Sequence, residues 1–241
     1  MSARDPNLAA GVDEATGSCL TCAKRTHLFL GPLGESRLRD LDGKRESRLR
    51  SAGTCLFRQG EEVSNVHCID SAVLKFSRRS PGGRDTIVDT AGQGRLAGLV
   101  SIFGRGDHAY SAEVVRAGNV CTFDRATIEV LALECSQFAR ALYRELALEL
   151  HRAASRIGLL SCSKLEPKLA LLLLDLAETR DPSEPVIEDF SRRDLAQMCG
   201  VSTEALVRCL SRWKSAGVID TDSGAIMIRD GDHLKELGRQ V

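Results

Sequence analysis

The sequence predicts an α+β fold in three parts: a small antiparallel β unit, a long amphipathic helix and a winged helix-turn-helix. Three observations carry this. Short apolar runs with Gly-rich turns fill residues 52–125, an apolar stripe at coiled-coil spacing runs through 126–163, and a helix–Gly turn–helix pattern stands in 164–241. Ahead of them, residues 1–51 hold a polar start, a Cys-x-x-Cys and a charge-rich piece.

The first segment contains the chemistry that is least common. The chain has nine cysteines, and most of them (Cys55, Cys68, Cys135, Cys162, Cys199, Cys209) stand singly in apolar or helical surroundings, where a thiol is usually a small buried hydrophobe. Cys19-Leu20-Thr21-Cys22 is different. Its spacing puts two thiolates on one centre and serves zinc sites, iron–sulfur clusters and dithiol switches alike. Glu35 to Arg50 is too charged for a core and is predicted as a solvated helix.

In the β unit, Cys55-Leu56-Phe57 runs into Gln59-Gly60-Glu61-Glu62, and Val66 to Ile69 precedes Val73 to Ser77. Pro81-Gly82-Gly83 turns before Thr86-Ile87-Val88, and Ala112 to Val115 and Val120 to Phe123 close the set. Strands at this spacing read as an antiparallel barrel or sandwich. In the helix beyond them, Leu142, Leu146, Leu150, Ala153, Ile157 and Leu160 advance by 4, 4, 3, 4 and 3 residues. That is the spacing of a coiled-coil seam; such a stripe could pack on its own domain or on a copy of itself, and the helix's length between two domains favours a second copy of the chain.

Pro167 suits the first turn of a helix over Leu169 to Glu178. Ser191 is a cap for a helix over Arg192 to Cys199, Gly200 supplies a left-handed turn, and Ser202 caps a second helix over Thr203 to Trp213. Ala196, Val201 and Leu206 are the expected inward contacts between the two. Ser202, Thr203, Glu204, Val207 and Arg208 then stand where base edges are reached; Arg208 can give guanine two hydrogen bonds and Glu204 can accept from cytosine. Arg192, Arg193 and Arg212 can neutralise phosphates. Two short apolar runs about Ser223-Gly224 make the wing. Double-stranded DNA is therefore the expected partner.

Composition narrows the field. Thirty-three basic and 33 acidic side chains cancel, which excludes a binder held to nucleic acid by bulk charge and an acidic disordered tail. No apolar run approaches the roughly 18–20 residues that span a bilayer, and the start lacks the basic and apolar blocks of a signal peptide. A cytoplasmic protein with no membrane partner is expected. An enzyme is not expected: there is no Ser/His/Asp order, no phosphate-cradling Gly loop after a strand and no His-Glu-x-x-His, and His27, His67, His108, His151 and His233 are scattered.

In this order, the parts resemble the Crp/Fnr transcription regulators. Leu56-Phe57-Arg58-Gln59-Gly60-Glu61 is similar to the family's first β-roll signature, Gly94-Arg95-Leu96-Ala97-Gly98 to its Gly-x-Leu-x-Gly turn, and Phe190 to Ala196 with Glu204 and Arg208 to its DNA reader. Ala72 departs from a turn glycine. The resemblance implies a cyclic-nucleotide-binding-like β-roll, a homodimer, a pseudo-palindromic site with half-sites near TTGAT, and, in an activator, contact with RNA polymerase through loops such as Ser80 to Arg84. Cyclic-nucleotide members carry a ribose-binding glutamate near the position of Gly98, and an Arg-Ser pair where Tyr110-Ser111 stands, so no cyclic nucleotide is expected. Gly104 to His108 is similar to the oxygen-sensing Fnr branch. That branch implies a [4Fe–4S] cluster on Cys19, Cys22 and Cys121. Its third N-terminal ligand falls at Leu28, which cannot ligate; His27 beside it, or Cys55 or Cys68, could supply the fourth ligand. A zinc or dithiol site, or an unidentified effector, is the alternative sensor, and a dimeric adaptor without DNA binding the alternative of another class.

Overall fold

The computed structural model describes residues 18–22, 29–83, 85–178 and 186–239. His27, Leu28 and Arg84 therefore lie outside the described residues.

The charge-rich piece is not one helix. It folds as α1 (Glu35–Gly43) and then β1 (Glu46–Arg50), which pairs antiparallel with a later strand from Glu46↔Thr122 to Arg50↔Gly118. Asp42-Gly43 ends the helix, and the open edge of a sheet captures Glu46 to Arg50; pairing overrides local charge. The β-roll thus begins before residue 52. Its strands continue as β2 (Cys55–Phe57), β3 (Asn65–Ile69), β4 (Val73–Arg79), β5 (Asp85–Ala91), β6 (Leu96–Ala97), a one-turn α2 (Leu99–Ile102), β7 (Ser111–Arg116) and β8 (Gly118–Asp124).

Two four-stranded sheets result, in the orders β1-β8-β3-β6 and β2-β7-β4-β5. Between them pack Phe57, Ile69, Leu74, Phe76, Ala112, Val114 and Val120. Ala72, which stands where a turn glycine was expected, is buried in this core. The glycine that the contact needs is Gly118, where a Cβ would come within 2.3 Å of the Ala72 nitrogen.

A second core lies outside the first sheet. Phe29, Leu38 and Leu41 cover Val66, Cys68 and Phe123 there, together with α3 (Arg125–Glu134) and the start of α4 (Ser136–Ser161). The long helix is broken: Cys135, in extended conformation at φ −131°, separates α3 from α4. This packing corrects the expected seam. Leu142 is buried against Phe138 and Ile128 in its own chain, Leu146 is half-buried beside them, and Leu160 is half-buried near Gly200. Only Leu150, Ala153 and Ile157 of the six remain exposed. The free apolar stripe is instead Tyr143, Ala147, Leu150, Ala154 and Ile157, again alternating four and three residues.

The third core is the C-terminal unit: α5 (Leu165–Glu178), β9 (Val186–Ile187), α6 (Arg192–Cys199), α7 (Thr203–Ser215), the wing strands β10 (Ile219–Asp222) and β11 (Ala225–Ile228), and α8 (Gly231–Gly238). The wing turns through Ser223 at φ 45° and Gly224 at φ 95°, the left-handed pair of a tight hairpin. Sequence reading misses β9, which pairs with β11, and α8.

Candidate DNA-reading helix and thiol cluster

Local chemistry sets the angle of α6 and α7. The Ser191 hydroxyl accepts from the Asp194 amide at 3.1 Å, and the Asp194 carboxylate accepts from the Ser191 amide at 3.0 Å, closing a capping box. Gly200 takes φ 67°, and the Ser202 hydroxyl accepts from the Ala205 amide at 3.2 Å. Ala196 and Leu206 are buried and Val201 half-buried at the helix crossing, with Leu195, Met198, Cys199, Leu210 and Trp213 around them.

This packing turns one face of α7 outward. Glu204, Val207 and Arg208 are exposed and succeed one another at helical spacing; Ser211, which sequence reading does not single out, extends the same row. The Glu204 carboxyl lies below its usual range because its own amide and the Ser202 hydroxyl favour the ionised form. Ser202 is exposed and Thr203 half-buried at the start of this helix. The basic set is less uniform. Arg193 is exposed and Arg192 half-buried, whereas Arg212 bonds Glu166 at 2.8 Å and Lys214 bonds the wing carbonyl of Thr221 at 2.9 Å. At the tip of the β4–β5 hairpin, Gly83, Asp85 and Thr86 line a cleft with Gly200, Ser202 and Thr203.

Polar contacts fasten this unit to the roll and to α4. Lys75 on β4 bonds Asp194 at 3.0 Å and Glu113 at 3.2 Å. Arg156 on α4 donates to the Met198 carbonyl at 2.9 Å. Arg95, in the Gly-x-Leu-x-Gly turn, bonds Asp89 at 2.8 Å and Glu149 of α4 at 2.7 Å.

On the opposite side of the roll the cysteines converge. Cys68 and Cys121 face each other directly in the β3–β8 ladder. Arg45 donates from Nη1 to Cys121 Sγ at 3.2 Å and pairs with Asp42 at 3.0 Å, while Asp42 accepts from the Cys19 amide at 2.8 Å. Burial, the hydrogen bond to Asp42 and nearby Cys121 push the Cys19 thiol up to about 12, against the pull of Arg45. Burial raises the Cys68 thiol well above the usual range, and Cys121, Cys22 and Cys19 add to it. Cys22 is half-buried beside the CxxC turn. Cys55 stands apart, bonded to the Phe57 carbonyl at 3.3 Å. Among the described residues no three His, Cys, Asp or Glu side chains are grouped so as to hold one metal ion.

Inside the roll, Phe57 stacks on His108 at 3.7 Å and Tyr110 tilts against Phe76 at 4.8 Å. His67 Nδ1 lies 3.0 Å from Thr122 Oγ1, and burial, with Arg50 and His108 nearby, holds His67 down at about 4.

A roll of the cyclic-nucleotide-binding type joined to a winged helix-turn-helix defines a DNA-binding transcription regulator. Residues 48–134 match the cyclic nucleotide-binding domain and residues 167–237 the Crp-like helix-turn-helix domain, and the chain belongs to the Crp/Fnr family. It is 27% identical over 224 residues to the nitrogen fixation regulation protein FixK of Bradyrhizobium diazoefficiens, covering 91% of this chain and 93% of that one. Its identity is 26% over 191 residues with the CRP-like cAMP-activated global transcriptional regulator of Mycobacterium tuberculosis, covering 78% and 85%. With the fumarate and nitrate reduction regulatory protein of Escherichia coli it is 25% over 225 residues, covering 91% and 89%. The solved structure of FixK2 from Bradyrhizobium japonicum shares the fold, with a TM-score of 0.73 at 22% identity over 80% of this chain and 96% of that one. These relatives are regulators rather than enzymes, and no helix among the described residues is long and apolar enough to cross a membrane.

Proposed function

We propose that this regulator binds double-stranded DNA as a homodimer and is gated by oxygen or redox chemistry at cysteine thiols on the outer face of its β-roll. The observation that carries the reading is the tie of Cys19 to Cys121 through Asp42 and Arg45, with Cys22 three residues on in the CxxC, on a domain joined to an outward-facing α7. In this reading residues 1–51 and 52–125 sense, 126–163 pair two copies, and 164–241 read DNA.

Each copy presents Glu204, Val207 and Arg208 to the major groove, with Ser202, Thr203, Arg192, Arg193 and Arg212 toward the backbone. Pairing along Tyr143, Ala147, Leu150, Ala154 and Ile157 sets the two α7 helices roughly 34 Å apart, one DNA turn. The cysteine set fits an iron–sulfur cluster better than zinc. The likeness to the oxygen-sensing branch supports that preference, and a cluster spreads its thiolates over several irons. Cys19, Cys22 and Cys121 would hold that cluster, which when bound supplies an oxygen- and redox-labile centre. Arg45 offsets negative charge at Cys121 and ties the CxxC turn to β8. Arg95 and Arg156 link the roll to α4 and to α6, so repacking of the roll biases the spacing of the readers. The aromatic interior of Phe57, His108 and Tyr110, with Tyr110 in place of an arginine, disfavours a cyclic nucleotide. RNA polymerase is the further partner if the protein activates, reached near Ser80.

Gel retardation of palindromic DNA carrying TTGAT-like half-sites, under anoxia and after aeration, tests this. Retention under anoxia and release in air is the expected result. Equal retention in both overturns the sensing, and retardation of no DNA overturns the regulator reading of α7.

A further inference from the structure

Three cysteines leave a four-thiolate cluster one ligand short, and the fold supplies the remaining thiol from a strand. β3 and β8 are antiparallel and in register from Asn65↔Asp124 to Ile69↔Val120, with Cys68 opposite Cys121. Side chains directly opposite in such a pair lie on the same face with Cβ atoms about 4.5–5.5 Å apart.

That face is the outer one. Val66, Cys68 and Phe123 pack with Cys19 under the N-terminal cover, and Cys121 packs against the same cluster. Their neighbours His67 and Thr122 bond each other from the other side of the ladder. A slip of one residue would send Cys68 to the interior, but the flanking buried pairs Val66↔Phe123 and Ile69↔Val120 hold the register. Cys68 is only 6% exposed. Cys19 and Cys121 share its core cluster, whereas the thiols of Cys55 and Cys162 donate to nearby backbone carbonyls.

We propose that Cys68 is the fourth thiolate of the metal–sulfur centre, completing a set with Cys19, Cys22 and Cys121. The inference rests on the iron–sulfur reading above. Each ligation replaces an S–H bond by an S–Fe bond and releases one proton to solvent, with no change in the oxidation state of sulfur. Two ligands then come from the CxxC turn and two from adjacent strands of the roll, so the centre staples the N-terminal cover to β3 and β8.

The full chain is reconstituted without oxygen from ferrous iron and sulfide, as wild type and as the Cys68→Ala, Cys68→Ser and Cys55→Ala variants. Iron and sulfide per chain, visible absorbance, and electron paramagnetic resonance of the reduced protein are measured. Wild type and Cys55→Ala are expected to take up equal iron and sulfide. Cys68→Ala should retain at least fivefold less, and Cys68→Ser, with an oxygen donor at the same position, should hold a centre with a shifted absorbance and resonance. Far-ultraviolet circular dichroism checks that each chain is folded, and the serine variant, closest in volume, decides the matter if the alanine variant unfolds. A wild-type centre that survives unchanged in both Cys68 variants overturns this assignment and leaves the iron–sulfur reading standing. A wild type that assembles no iron–sulfur centre overturns both.

Discussion

The DNA-reading unit and the thiol face of the roll are built by opposite means. The turn between α6 and α7 is set by residues three apart: Ser191 with Asp194, and Ser202 with Ala205. The thiol face is set by residues far apart in the chain, as when Arg45 reaches Cys121 across 76 positions. Local construction writes itself into the sequence as caps and a turn glycine. Long-range construction leaves only scattered cysteines, whose meaning depends on strand register. A function carried by the first is legible early, and one carried by the second becomes visible only when the strands are paired.

The long helix joins the two and offers the largest test of the contrast. Leu142→Ala removes a buried side chain from the core shared with Phe138 and Ile128 and should cost about 2–5 kcal/mol of fold stability in denaturant titration. Leu150, 73% exposed on the same helix, should leave monomer stability within about 0.5 kcal/mol when changed to Ala. Leu150→Asp should instead weaken self-association in sedimentation. Equal destabilisation by Leu142→Ala and Leu150→Ala would mean that the helix does not divide its faces between its own roll and a second copy.

Acid should separate the regions next. His67 is buried inside the roll and titrates near 4 rather than 6.5, so between those values the unfolded chain binds a proton that the folded chain refuses. Stability therefore falls as pH drops from about 6.5 to about 4, by up to about 3 kcal/mol from this group. His67→Gln removes that part of the slope, leaving the carboxylate contribution common to both proteins. Thermal unfolding of wild type and variant across this range measures the difference. If both curves are parallel, His67 is solvated in solution and the interior of the roll opens to water.

Legibility in the sequence divides along the same line. Ser191, Gly200 and Ser202 mark both helices and their turn, and Ser223-Gly224 marks the wing, because each residue type answers a local backbone need. Glu46 to Arg50 reads as helix because its charges look solvated; only the free edge of β8 makes it a strand. The six-residue stripe fails at Leu142, Leu146 and Leu160 for a similar reason. Coiled-coil spacing fits more than one face of a helix, and which face stays free depends on where the roll lies. Cys19 and Cys22 stand out by their spacing and Cys121 comes from resemblance, while the opposition of Cys68 and Cys121 needs the β3–β8 register. The proton-poor His67 and the Arg95–Glu149 contact likewise need tertiary structure.

At the DNA face, Arg208→Ala should weaken specific binding by about 1–3 kcal/mol, roughly 5- to 150-fold, and relax preference at one base position. Arg212→Ala should do less to specificity, since Arg212 is held by Glu166. Its effect should be uniform across sequences and diminish as salt rises, as a phosphate contact does. Fluorescence anisotropy with a consensus site and single-base variants distinguishes the two. Equal loss on every sequence for Arg208→Ala would move that residue from base reading to phosphate binding.

The smallest effect probes how local the reading helix is. Ser202 precedes α7, and its hydroxyl satisfies the Ala205 amide, one of the first-turn donors that helical bonding leaves free. Ser202→Ala should cost about 1 kcal/mol of stability, while Ser202→Gly should cost only a few tenths, since glycine is tolerated at a cap. The same hydroxyl favours the ionised Glu204 carboxyl, so removing it should also loosen the first turn, from which Glu204 faces outward. DNA affinity should then fall more for Ser202→Ala than its stability loss alone predicts, because the fraying is confined to the turn that meets the groove. If affinity and stability change by the same amount, the cap serves the fold only, and the positioning of Glu204 comes from the buried Leu206 and Trp213 beneath it.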